Sequence, residues 1–192
     1  MAIRERRERE RAERERAIVT AARDLAESEG WDAVTTRRLA AEIEYSQPVL
    51  YSHFKGKEAI MAAVAVDGFA DLAHDLAAAR TAAGDERRAV AAVAEAYTSF
   101  AERRPALYDA MFTLRVDLPF ASPDAPVDLP RGFAELADAV RPIAAADELE
   151  ALTETFWSAL HGLVTLMRSG RLRRADHARR LALLVDRFTR GT

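Results

Sequence analysis

Residues 35–54 read TTRRLAAEIEYSQPVLYSHF, and this stretch decides the fold. Thr35 is a good N-cap, and Leu39, Ala40 and Ile43 behind it fall on one face of a short helix. A further helix opens at Ser46, with Pro48 in its first turn where a missing N–H costs little, and runs to about Phe54. It is about eight residues, or roughly 12 Å, long, and the B-DNA major groove is also about 12 Å wide. Val49, Leu50 and Phe54 serve to dock it on its neighbours. Gln47, Pro48, Tyr51 and His53 on the other side are placed to face a partner. Two short helices joined by a tight turn, behind a longer first helix, are the layout of a helix-turn-helix DNA reader.

The surroundings agree. Upstream, Ile18, Ala21, Ala22 and Leu25 make an apolar stripe at helical spacing on a first helix that runs from the charged N-terminus to about Glu29. Gly30 follows as a C′ stop, and Trp31 and Val34 add apolar cover. Downstream, Gly56 breaks the chain and KEAIMAAVAVDGFADLAHDLAAA restarts a long helix at Lys57. Further helices are expected at about 85–103, 105–115, 131–145, 148–169 and 175–189, with Pro142 kinking or ending one of them. Residues 116–130, VDLPFASPDAPVDLP, hold four prolines and read as a loop. Strand signals are almost absent while Ala, Leu, Arg and Glu dominate, so the fold class is all-α, with about nine helices.

Composition narrows the functions. The 192 residues are 49% hydrophobic, enough for a real core, and include no Cys, which removes disulfides, thiolate catalysis and Cys-based zinc sites. No apolar run approaches the roughly 20 residues that span a bilayer, and the start MAIRERRERERAERER lacks a signal peptide's apolar core, so a cytoplasmic protein without membrane contact is expected. The net charge is −3, and residues 1–60 carry 12 basic and 12 acidic side chains, so any DNA contact depends on placement rather than bulk charge. No phosphate-cradling, hydrolase or metalloprotease motif appears, and His74, His161 and His177 lack metal-ligand spacing with carboxylates. No enzyme, cofactor or metal is therefore expected.

The segment YSQPVLYSHFKGKEAI (45–60), with GWDAVTTRRLA (30–40) and the Ile18 and Ala21–Ala22 positions, resembles the DNA-binding domain of the tetracycline-repressor (TetR) family nearly continuously over 14–60. The resemblance implies a charged arm at 1–13, a DNA-binding domain at 14–60 with its motif at 35–54, and an effector-binding and dimerisation domain at 61–192. It assigns Thr35 to the cap and lets Thr36 and Arg37 reach phosphate. Ser46, Gln47, Pro48 and Val49 begin the recognition helix, with Gln47 suited to adenine and Pro48 and Val49 to thymine methyls. Tyr51 and His53 bond or flank phosphates, and Lys57, at a helix start, holds one and fixes register. Two residues depart from the family pattern. Glu44 stands where the turn usually has Gly, so a differently shaped turn is expected. Arg38 stands where an acidic capping partner is common, which weakens the capping box and offers a phosphate contact.

In the C-terminal part, the W-x-x-L-H-G piece (157–162) with RPALYDAMF (104–112) resembles a subgroup named for a Trp-His-Gly domain. That implies a helical effector-binding bundle and a homodimer formed through the last two long helices. Trp157, Leu160 and His161 share a helix face, and Tyr97, Phe100, Tyr108, Met111 and Phe112 are candidates to line an apolar ligand site with them. The expected partners are double-stranded operator DNA and a small apolar or amphipathic effector. The alternative is a helical ligand-binding or enzymatic protein whose helix-turn-helix is incidental.

Overall fold

The structure is a computed structural model that describes residues 2–116, 118, 126, 128–145 and 147–190, the side chain of Ala2 aside. Most of the proline-rich segment read as a loop, including Pro119 and Phe120, therefore lies outside the described residues. The described residues form nine α-helices and no strand. They are α1 (Ala2–Glu29), α2 (Thr36–Glu42), α3 (Gln47–His53), α4 (Lys57–Ala82), α5 (Glu86–Arg103), α6 (Pro105–Phe112), α7 (Leu129–Val140), α8 (Leu149–Arg168) and α9 (His177–Thr189).

Most boundaries fall where the local chemistry puts them. Gly30 closes α1 at φ 86, a left-handed conformation that costs glycine little. Thr35 caps α2, its Oγ1 accepting from the Arg38 N–H at 3.1 Å. Asp85 does the same for α5, accepting from the Arg88 N–H at 2.8 Å. Two expectations need correction. α6 stops at Phe112 rather than near 115, because the N–H groups of Thr113 and Leu114 both turn back to the Asp109 carbonyl. α7 begins at Leu129, inside the expected loop, since Pro130 fits a first turn; it yields at Pro142 to a 3-10 turn, Arg141–Ile143.

By its internal contacts the chain divides into two units, residues 1–68 with 104–125 and residues 69–103 with 126–192. In the first, α1, α2 and α3 pack around Ile18, Val34, Leu39 and Leu50, all buried. α6 joins them although it lies far along the chain. The Ala106 and Leu107 N–H groups donate to the two Glu27 carboxylate oxygens at 3.1 and 2.9 Å, which satisfies orphan donors of the first turn of α6. The Trp31 indole N–H donates to the Ala106 carbonyl at 2.8 Å. Gly68 lets α4 approach α6 closely, since a Cβ there would sit 2.8 Å from Leu107 Cδ1 and Met111 Sδ.

The second unit packs α7 on α8 and α5 on α7, α8 and α9. Its core holds Leu76, Val93, Tyr97, Phe100, Phe156 and Leu160, each fully buried. Arg80 of α4 pairs with Glu135 of α7 at 2.8 Å, and Arg87 of α5 with Asp186 of α9 at 2.9 Å.

Candidate nucleic-acid interface

The candidate interface is the outer side of α2, the turn, and α3. The turn keeps the left-handed geometry that glycine usually supplies: Glu44 has φ 56. The expected reshaping does not occur. The Glu44 N–H reaches the Ala41 carbonyl at 3.4 Å and the Tyr45 N–H the Ala40 carbonyl at 2.9 Å, the paired bonds of a Schellman motif. These bonds hold Glu44 in place against a cost of about 1–2 kcal/mol.

That turn presents α3 with one side inward and one outward. Leu50 is fully buried and Phe54 half-buried, so these two dock the helix. Val49, expected on the docking side, is 37% exposed and turned outward, beside Ser46, Gln47 and Pro48, which are also exposed. Tyr51 is 51% exposed, and its hydroxyl lies 3.3 Å from Thr36 Oγ1, which links the exposed edges of α2 and α3. Arg37 is exposed, and Thr35 spends its hydroxyl on the cap.

Three side chains have partners that local sequence does not reveal. Arg38 donates to Glu29 at 2.8 Å, which ties α2 to the end of α1. The His53 side chain is only 4% exposed, and its Nδ1 lies 3.2 Å from Glu15 Oε1 on α1. Reaching a phosphate would require breaking that pair. Burial opposes ionisation of Glu15, but hydrogen bonds from His53 and Arg11 outweigh it and hold the carboxyl below its ordinary range. Lys57 is half-buried, with Nζ donating to the Trp31 carbonyl at 2.5 Å and two further N–H groups to offer. Glu15, Glu27 and Trp31 were not singled out as functional from the sequence, because each acts on a residue 26 or more positions away.

The expected effector residues are distributed over the two units. Tyr108, Met111 and Phe112 ride on α6 in the first; the Tyr108 and Phe112 rings lie 4.7 Å apart. Tyr97, Phe100, Trp157, Leu160 and His161 belong to the second. There the Trp157 indole N–H donates to the Tyr97 hydroxyl at 3.0 Å. Phe133 of α7 meets Trp157 edge-on at 6.4 Å, an aromatic partner whose helical spacing with Leu129, Leu136 and Val140 was its only sequence signal. Burial holds His161 below the ordinary histidine range and so favours its neutral form. Among the described residues no cluster of His, Asp or Glu is arranged to hold a metal ion, and no helix is long and apolar enough to cross a membrane.

An all-α chain with an exposed second helix behind such a turn has the build of a helix-turn-helix transcriptional regulator. Comparison with known proteins makes the class specific. Residues 18–64 match the family model for bacterial regulatory proteins, tetR family, and residues 90–188 match the tetracyclin repressor-like C-terminal domain. An uncharacterised HTH-type transcriptional regulator of Mycobacterium tuberculosis is 35% identical over 157 residues, covering 80% of this chain and 70% of that one. The class D tetracycline repressor of Escherichia coli is 42% identical over 51 residues, covering 27% of this chain and 23% of the repressor. Among solved structures, a protein of unknown function from Rhodococcus sp. RHA1 superposes with a TM-score of 0.74 at 26% identity, covering 92% of this chain and 94% of the other. The chain belongs to the TetR family of transcriptional regulators, which are DNA-binding proteins and not enzymes. The Trp-His-Gly subgroup is not confirmed by these matches.

Proposed function

We propose that the protein is a cytoplasmic homodimeric repressor that releases a palindromic operator when a small apolar or amphipathic molecule binds its C-terminal helices. The observation that carries the DNA part is the division of α3: Leu50 is buried while Gln47, Pro48, Val49 and Tyr51 are exposed along one side. Ser46, Gln47, Pro48 and Val49 take the base edges. Thr36, Arg37, Tyr51 and Lys57 take the phosphates, with Thr35 as their structural support. His53 acts through Glu15 as a strut that fixes the end of α3.

The dimer reading is supported by α8 and α9. Ala151, Thr155, Ser158 and Leu166 are exposed along α8, with Gly162 half-buried among them. Ala178, Ala182 and Leu183 are exposed on α9. Such small side chains with exposed leucines suit close packing against a second copy. The effector reading is supported by half-buried Phe133, Trp157 and His161 beside buried Tyr97, an aromatic group with few charges. The effector acts only if it binds the DNA-incompetent state better.

Selection of bound duplexes from a random pool tests the whole reading. Two inverted half-sites are expected, spaced so that the recognition helices enter successive major grooves about 34–36 Å apart. Enrichment of a single unrepeated site would remove the dimeric operator, and no enrichment would remove the DNA function.

A further inference from the structure

α1 packs within its unit through Ile18, Ala22 and Leu25, all buried, and at Glu15 it meets His53, the last residue of α3. N-terminal to Glu15 the helix continues to Ala2, past the end of the recognition helix, with nearly every side chain exposed. Counting back from Ile18 by 4, 7, 11 and 14 residues, the helical steps that keep one face, gives Arg14, Arg11, Arg7 and Arg4. The face that is apolar inside the unit becomes arginine at each of those steps outside it. Glu8, Glu10 and Glu15 flank this stripe of four arginines without lying on it. The far side mixes Arg6, Arg9 and Arg16 with Glu5 and Glu13.

A helix that needed only solvation has no reason to keep one narrow stripe free of acidic side chains. Pairs four residues apart, Arg4–Glu8 and Arg6–Glu10 among them, keep the extension helical at 2.9 and 2.8 Å. Arg11 and Arg14 likewise meet Glu15 and Glu10 at 2.9 and 3.7 Å, solvent-exposed pairs that hold their arginines only weakly. The Glu15–His53 contact places the inner end of this stripe beside the end of α3.

We propose that Arg4, Arg7, Arg11 and Arg14 form a second DNA contact, along the phosphate backbone outside the bases read by α3. The inference rests on α3 being the DNA reader. It concerns affinity and footprint, since phosphate contacts position the protein and carry no sequence information. Each phosphate neutralised steepens the dependence of log affinity on log salt by about 0.9.

The test uses full-length protein and the duplexes that the wild type selects, in two lengths: trimmed to the selected bases, and extended by arbitrary sequence on each side. One variant carries R4A, R7A, R11A and R14A; a control carries R6A, R9A and R16A. Alanine preserves the helix in both. The inner-face variant should bind the extended duplex at least tenfold more weakly, with a salt slope flatter by about two to four units, and the trimmed duplex almost normally. The control should match the wild type, and repeated selection with the inner-face variant should return the same bases. Equal losses in both variants, no loss in either, or a changed base preference would overturn the proposal. Failure of the α3 reading looks different: the wild type then enriches no sequence at all, and the second contact falls with it.

Discussion

At Gln47 and Lys57 the proposed interface divides two kinds of contact. Gln47 is exposed on the outer side of α3, and its amide can bond two edges of an adenine at once. Lys57 is a point charge at a helix start, fixed by the Trp31 carbonyl. Gln47→Ala should therefore relax base choice at one position by about 1–3 kcal/mol and leave binding to unrelated sequences nearly unchanged. Lys57→Ala should weaken binding to every sequence and flatten the salt slope by about one unit. Titrations of matched and mismatched duplexes over a range of salt separate the two. Equal losses with an unchanged slope would show that the roles are not divided in this way. Residue roles were legible where the signal is local: the Thr35 cap, the Gly30 stop and the buried Leu50 follow from neighbours within a turn. The partners of His53 and Lys57 were not, because Glu15 and Trp31 come from α1 and the turn behind it, and no periodicity encodes such a meeting.

Among the elements, the α2–α3 turn and the α4–α6 crossing carry opposite predictions for small residues. Glu44 holds a left-handed conformation that Gly adopts freely, though Gly also loses more chain entropy on folding. Glu44→Gly should raise unfolding stability by about 0.5–1 kcal/mol, measured by urea or thermal denaturation. A loss of stability would mean that the Glu44 side chain contributes a contact outweighing its backbone. At Gly68 the sign reverses. Buried Leu107 and Met111 stand where a new Cβ must go, so Gly68→Ala should cost about 1–2 kcal/mol in the same measurement. The spans of α1 to α4 were legible because Gly30, Thr35, Pro48 and Gly56 punctuate the chain strongly, whereas α6 and α7 ended and began elsewhere than expected. The membership of α6 in the first unit was not. It depends on Glu27 and Trp31 bonding across 75 or more residues, and the α6 sequence offers only an apolar octamer that suits either unit.

For the molecule as a whole, the proposed dimer makes a surface leucine decisive. Leu183 is 56% exposed on α9, so replacing it leaves the folded single chain almost unaffected. Burying a charge there against a second copy is another matter. Leu183→Glu should weaken dimerisation by at least about 100-fold, roughly 3 kcal/mol, and lower operator affinity with it. Solution mass at several concentrations checks this. An unchanged mass would place the partner surface elsewhere.

The anchoring of α6 by Glu27 and Trp31 also sets an order of events during synthesis. The ribosome finishes the helix-turn-helix long before it reaches Ala106 and Leu107, and the loop to be closed spans 79 to 80 residues. Until then the Glu27 carboxylate and the Trp31 indole lack those partners, and the notch at Gly68 is unfilled. Non-local closure of this kind is slow relative to helix formation. The nascent DNA reader thus waits, locally formed but incompletely packed, for a piece of chain made after the whole of α5. A gene fragment ending at Gly68 would be held permanently at that stage.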